Sequence, residues 1–227
     1  MSVIYLIRHG QASFLKRDYD QLSEIGVKQS IILGEVLKQR KNVPAYVLGG
    51  SMKRHHETAL HATEAVDLDI KYTEDGCWNE YDHMELIAKH QPDFENFDEL
   101  ARYIKNQTHP TRTLQQLLNN SIKDWMNDRH DYILKWSDFK ERVWSSVNEL
   151  ATRLEKEETA WVFTSGGPIA VVMLELLGLR DQQFMGLQGK IVNTSITKIL
   201  VGKSGLSLST YNEYSHLESE SSLITYR

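Results

Sequence analysis

The sequence predicts an α/β fold in three layers: a mostly parallel central sheet, helices on both faces, and a helical insertion covering one end of the sheet. Three observations predict it. Short apolar runs rich in β-branched residues alternate with helical stripes as far as Tyr72, the rhythm of parallel strands joined by crossover helices. The rhythm lapses from about 81 to 136 and resumes at Ser137. The length, 227 residues, suits one large α/β domain or one domain with a sizeable insertion. We therefore expect a single domain over 1–227 with an insertion at about 81–136.

Taken in order, Val3 to Ile7 is a short continuous apolar run, the pattern of a buried central strand. Ser23 to Lys41 turns helical, with Ser23 as N-cap and a stripe of Ile25, Ile32, Leu33 and Val36; Asn42 and Pro44 stop it. Tyr46-Val47-Leu48 is a second strand closed by Gly49-Gly50. A helix from about Lys53 to Val66 turns Ala59, Ala62, Ala65 and Val66 inward, and a third strand is expected over Ile70 to Tyr72. Tyr81 to Trp136 has helical spacing with scattered aromatics; Trp125, Tyr132 and Trp136 are expected to pack the insertion. Phe139, Val143, Val147, Leu150 and Leu154 then form a helical stripe. Ala160 to Thr164 is a strand and Pro168 to Leu177 a helix, with Pro168 at its first position. Ser195 to Val201 and Leu206 to Tyr211 are a closing pair of strands, and the polar Ser219 to Arg227 is expected to be disordered.

Composition narrows the function. Apolar residues make up 41% and charged residues 25% of the chain, an ordinary globular mixture. The formal net charge is -5, so the basic excess of a general nucleic-acid binder is missing. A local cluster of Arg and His can still bind a phosphate. The one cysteine, Cys77, rules out an intramolecular disulfide. The opening apolar run ends at Arg8-His9 and is too short for a signal peptide or membrane span, so the expectation is a cytoplasmic protein with no membrane partner.

In parallel α/β sheets ligands sit at the carboxyl ends of strands. That rule selects three loops: Arg8-His9-Gly10, Ser51 to Arg54, and Thr164 to Pro168. A neutral, oriented imidazole is a nucleophile toward phosphorus. A guanidinium offers a rigid fork matched to phosphate oxygens, and Gly10 allows close approach of the backbone. Arg54 falls in the first turn of a helix, where the dipole disfavours a cation unless an anion joins it. The N–H groups around Ser165, Gly166 and Gly167 make a phosphate seat. Glu80 could protonate a leaving alkoxide. Two patterns are set aside. In His55-His56-Glu57-Thr58-Ala59-Leu60-His61 the pair His56 and His61 is five apart, one residue too long for the i, i+4 spacing of zinc ligands, and Ser165 lacks the glycine at 163 that a serine-hydrolase elbow requires.

Together these segments resemble the histidine phosphatase superfamily, the group that includes cofactor-dependent phosphoglycerate mutases. The likeness rests on Leu6-Ile7-Arg8-His9-Gly10-Gln11, Leu22 to Gln29, Ser51 to Ala59 with its Arg54 and Thr58-Ala59, Glu80, Asn193 to Thr197, and His216-Leu217. The resemblance implies a phosphatase acting on phosphate monoesters through a phosphohistidine on His9. Arg8 and Arg54 would bind the phosphoryl oxygens and Glu80 would act as acid, then base. It implies no metal and no organic cofactor. The substrate would be a phosphorylated small molecule or phosphoprotein; the sequence does not give the oligomeric state. Phosphoglycerate mutase-type transfer and a catalytically impaired phosphate-binding regulator are the alternatives.

The chain departs from the family at two points. Ser165 stands where a second histidine is usual, in a His-Gly-Gly segment, and the usual Asn after the first motif is missing from Gln11-Ala12-Ser13-Phe14. Another donor would fill the gap, with His83 the first candidate and Ser13 the second; the alternative is that His83 caps the insertion and never meets phosphate.

Overall fold

The computed structural model describes residues 1–12, 20–41, 43–94 and 96–226, which form two compact units, 1–80 with 143–227 and 81–142. Ser13 lies outside the described residues.

The first unit opens with β1 (Ser2–Arg8), whose Ile4, Leu6 and Ile7 are wholly buried. Helix α1 (Glu24–Gln39) starts at Ser23, whose side chain accepts from the N–H of Gly26. The expected stripe is rotated. The buried face consists of Gly26, Gln29, Ser30, Leu33, Gly34 and Leu37, and Ile25 is exposed. Close packing explains this: a Cβ on Gly34 would lie 2.3 Å from the Ala62 carbonyl oxygen, so α1 meets its neighbour backbone to backbone. Strand β2 (Tyr46–Gly49) leads to α2 (Lys53–Glu64), which buries Arg54, His55, Thr58, Ala59, Ala62 and Thr63; Ala65 and Val66 lie just past its end, half-buried, with Val66 packed on the core. Strand β3 (Tyr72–Glu74) begins two residues later than expected.

The second unit holds α3 (His83–His90), α4 (Phe97–Lys105) and α5 (Pro110–Met126); Asp82 and Asn96 cap the first two, and α5 opens with Pro110 without a side-chain cap bond. Ile87, Phe94, Leu100, Ile104, Leu114 and Leu117 form its core. Tyr81, Trp125, Trp136 and Phe139 stack in a second cluster, with Trp125 5.2 Å from Trp136 between ring centroids. Asp124 gathers Arg129, His90 and His130 at 2.8, 2.6 and 3.8 Å. Helix α6 (Trp136–Arg153) begins in this unit and ends in the first.

The first unit closes with β4 (Thr159–Thr164), α7 (Gly166–Leu177), the short α8 (Phe184–Gln188), β5 (Ile196–Gly202) and β6 (Gly205–Glu213). Pro168 is the third residue of α7, not the first, and still falls in the turn where a missing N–H costs nothing. The sheet order is β3-β2-β4-β1-β5-β6, with the first four strands parallel and β5 and β6 antiparallel additions. Because strand side chains alternate between faces, Tyr5 and Ile7 share one face with Val47, Trp161 and Phe163, and pack on Leu33 and Leu37 of α1 and Ala59 and Ala62 of α2. Helix α7, buried from Gly166 to Leu174, touches β1. The tail is ordered, contrary to expectation. Leu223 is buried, and the carbonyls of Leu223 and Thr225 accept from Gln29 Nε2 and Asn193 N–H. Among the described residues no helix is long and apolar enough to cross a membrane.

Candidate active site

Register assembles the site. Arg8 pairs with Thr164 and Gly49 with Phe163, so His9, Ser165 and Gly50 emerge side by side at the carboxyl ends of β1, β4 and β2. The N–H of His9 donates to the Thr164 carbonyl at 2.8 Å. The His9 carbonyl accepts from Asn193 Nδ2 at 3.0 Å and from the Thr194 N–H at 3.3 Å. Thr225 Oγ1 in turn donates to Asn193 Oδ1 at 2.9 Å, so the ordered tail steadies the residue that holds the loop.

The ring of His9 is buried, and its Nδ1 lies 2.7 Å from the Gly10 carbonyl oxygen. A carbonyl only accepts, so Nδ1 carries the proton and Nε2 keeps a bare lone pair. Burial first, then the charges of Arg54 and Arg8, hold the imidazole pKa well below its ordinary value. His9 is therefore neutral at physiological pH, the form that can act as a nucleophile. Gly10 is required sterically: a Cβ there would lie 2.6 Å from the Gly26 carbonyl oxygen. Its N–H donates to Thr58 Oγ1.

Arg8 donates through Nη1 to the Ile191 carbonyl. Arg54, buried in the first turn of α2, does have an anion partner: Nη1 meets Asp20 Oδ1 at 2.6 Å. The other oxygen of Asp20 accepts from the Lys53 N–H at 2.7 Å. Asp20 thus serves the helix N-terminus that Met52, which makes no side-chain cap bond, leaves open. The sequence reading did not include Asp20.

Glu80 is buried, and its Oε2 accepts from the Gly167 N–H at 3.0 Å. The turn before it is tied to β4 by Thr164 Oγ1, which donates to the Trp78 carbonyl at 2.6 Å. Gly166 opens α7 beside Arg8; a Cβ there would be 3.9 Å from Arg8 Nε. Ser165, at the N-cap of α7, makes no capping bond, and its Oγ lies 2.7 Å from Nε2 of His55. The His55 ring is wholly buried, with its centroid 5.7 Å from that of His9. Burial and Arg54 push its pKa well down.

The structure therefore brings His9, Arg8, Arg54, Gly10, Glu80, Ser165 and Gly166 together, and adds His55. His83 lies in the second unit as the first residue of α3, its ring 4.6 Å from that of Tyr81. Of the set-aside pair, His56 is exposed with its ring 5.1 Å from that of Tyr72, and His61 is partly exposed beside Glu64. Among the described residues no group of three His, Cys, Asp or Glu side chains is placed to hold a metal ion.

The family model for the histidine phosphatase superfamily (branch 1) matches residues 4–214. Among solved structures, Bacillus stearothermophilus YhfR superposes with a TM-score of 0.70 at 19% identity, over 96% of this chain and 100% of that one. A phosphoserine phosphatase mutant from Entamoeba histolytica, in complex with phosphoserine, gives 0.67 at 17% identity, over 96% and 100%. Phosphoglycerate mutase from Bacillus anthracis gives 0.67 at 17%, over 96% and 95%. At these identities the likeness is one of fold. No curated protein matches the chain.

Proposed function

The chain belongs to the histidine phosphatase superfamily, and on that premise we propose that it hydrolyses phosphate monoesters through a phosphohistidine formed on His9. One observation carries this reading. The Nδ1 proton of His9 is committed to the Gly10 carbonyl, which leaves Nε2 as a neutral lone pair in a buried setting shared by two guanidinium groups.

The lone pair of Nε2 attacks phosphorus as the ester P–O bond breaks. Arg8 and Arg54 balance the charge on the equatorial oxygens, the main requirement in phosphoryl transfer. Glu80, protonated at this stage, gives its proton to the leaving alkoxide. The resulting carboxylate then takes a proton from water, the hydroxide attacks phosphorus, and the N–P bond breaks. Phosphate leaves, with His9 neutral and Glu80 protonated again. Oε2 of Glu80 is held by the Gly167 N–H at the start of α7, which fixes one oxygen and aims the group. No step needs a metal or an organic cofactor.

The substrate we propose is a phosphorylated small molecule, with a phosphoprotein as the other choice. Proteins of this fold include a phosphoserine phosphatase in complex with 3-phosphoglyceric acid and a mycobacterial glucosyl-3-phosphoglycerate phosphatase. The test is turnover of p-nitrophenyl phosphate from mildly acidic to neutral pH, together with denaturing quench during turnover. We expect acid-labile, alkali-stable phosphate on the wild type and none on His9→Ala, with activity of that variant down by ~10³-fold or more. Turnover by His9→Ala at the wild-type rate would overturn the assignment. Transfer to a second phosphoglycerate in preference to water would mark a mutase.

A further inference from the structure

We propose that His55 is a positioning residue for the reaction at His9: its Nε2–H orients the hydroxyl of Ser165, and Ser165 donates that hydroxyl proton to an oxygen of the transferring phosphoryl group. The inference rests on the phosphatase reading and adds a two-residue donor to it.

The first observation is how Ser165 is used. A serine at an N-cap normally accepts a hydrogen bond from the N–H of the second or third helical residue. Here the second, Gly167, donates to Glu80, and the third, Pro168, has no N–H. The Ser165 hydroxyl makes no cap bond and, among the described residues, meets the imidazole of His55 at 2.7 Å. The sequence around Ser165 has thus removed both local partners and left the side chain available for another role.

The second observation is how His55 is held. It follows Arg54 directly on α2, so the residue that brings a guanidinium to the site also brings this ring. Space for the ring is made by Gly50, at the end of β2: a Cβ there would lie 2.4 Å from His55 Nδ1 and 2.9 Å from its Cε1. An imidazole 5.7 Å from that of His9 between ring centroids, enclosed and seated on a glycine, occupies a place shaped for it.

The third observation fixes the direction of the bond. Among the described residues, His55 Nδ1 is buried and has no hydrogen-bond partner. A buried N–H without an acceptor costs more than a bare lone pair on a nitrogen. The proton therefore sits on Nε2 and is donated to Ser165 Oγ, and the hydroxyl hydrogen of Ser165 is left to point elsewhere. Ser165 lies opposite His9 across the β1–β4 pairing, so the mouth shared by these strands is the direction open to it. The opposite arrangement, in which His55 takes a proton from Ser165 and makes it a nucleophile, lacks the third group that would orient Nδ1 in such a dyad. The pair explains how Ser165 can stand where a charged histidine is usual: a hydroxyl with its own donor behind it is a directed donor.

The test is a double-mutant cycle on the full chain with p-nitrophenyl phosphate, using His55→Ala, Ser165→Ala and the double variant, with Tm and kcat measured separately from KM. We expect each single variant to lose ~10-fold in kcat with KM nearly unchanged, and the double variant to lose no more than Ser165→Ala alone, because His55 acts through Ser165. His55→Gln, which keeps an N–H donor near the position of Nε2, should recover part of the loss. The same pattern should appear in binding of orthovanadate, the probe for the transition-state geometry. Losses that multiply in the double variant, an unchanged kcat in a folded His55→Ala protein, or a folded His55→Gln protein no better than His55→Ala would overturn the inference while leaving the phosphohistidine mechanism intact. A wild type that neither turns over substrate nor traps phosphate on His9 would overturn the phosphatase reading and this inference with it.

Discussion

Thr58 Oγ1 accepts a hydrogen bond from the Gly10 N–H at 2.9 Å, and the same hydroxyl donates to the Arg54 carbonyl at 2.6 Å. One side chain of α2 thereby ties the loop of the proposed nucleophile to the turn that carries its guanidinium. Thr58→Val keeps the shape and removes the acceptor, leaving the buried Gly10 N–H unpaired. A loss of ~1–3 kcal/mol is expected, read as a fall of several degrees in Tm and a lowered kcat. Thr58→Ser should retain both.

Three buried imidazoles make the fold sensitive to acid. His9 and His55 have pKa values pushed well down by burial and then by neighbouring arginines, and burial lowers that of His216 to about 4. Near neutral pH each ring is uncharged in both folded and unfolded chains and adds no pH dependence. As pH falls below the ordinary histidine value, the unfolded chain takes up protons that the folded chain refuses, so stability drops. For His216 the window runs from its ordinary value of 6.5 down to about 4, worth ~3 kcal/mol at ~1.4 kcal/mol per pH unit. Urea midpoints should fall steadily across that window, and His216→Gln should show the smaller fall. The acidic limb of kcat/KM should likewise lie below the usual histidine range, since His9 stays neutral there; a limb at the ordinary value would contradict the burial of His9.

Gly50 offers a sharper check on the seat of His55. A Cβ at that position meets His55 Nδ1 and Asn79 Oδ1, each at 2.4 Å. Gly50→Ala should therefore cost both stability and kcat. Placing it on His55→Ala should relieve much of the stability cost, because the ring is gone and only Asn79 must shift. Equal losses of Tm in the two backgrounds would show that the glycine serves the backbone rather than the imidazole.

The strand-end rule, applied to three short apolar runs, picks out the loops that carry Arg8, His9, Arg54 and Ser165, because burial of a central parallel strand leaves a strong local signature; the segments of Glu80 and Asp20 lie outside it. Residues that act across the fold were less legible. His55 has no role in the sequence reading, since nothing in the order His55-His56-Glu57 says which ring turns inward. The deciding features, a glycine just past β2 and a serine just past β4, lie five residues upstream and 110 residues downstream. The buried face of α1 was misjudged for a related reason. Apolar periodicity favours Ile25 and Val36, whereas the helix packs through Gly26, Ser30 and Gly34, which a hydrophobic stripe cannot reveal. The role of Pro168 also changed meaning: read as a helix opener, it is the residue that denies Ser165 a capping partner.

The ordered tail supplies the last prediction. Thr225 Oγ1 donates to Asn193 Oδ1 at 2.9 Å and accepts from Gln29 Nε2 at 2.8 Å, while Asn193 Nδ2 donates to the His9 carbonyl. Thr225→Val breaks the first two bonds without touching the site. If the chain from tail to Asn193 to His9 fixes the loop, kcat should fall a few-fold while KM hardly moves, because phosphate-binding groups stay in place and only the aim of the imidazole loosens. Asn193→Ala removes the direct bond and should cost more, ~10-fold. Combining the two should cost little beyond Asn193→Ala alone, since Thr225 would act through Asn193. Independent, multiplying losses would mean that the tail stabilises the fold by a separate route, which Tm values of the same three variants would register directly.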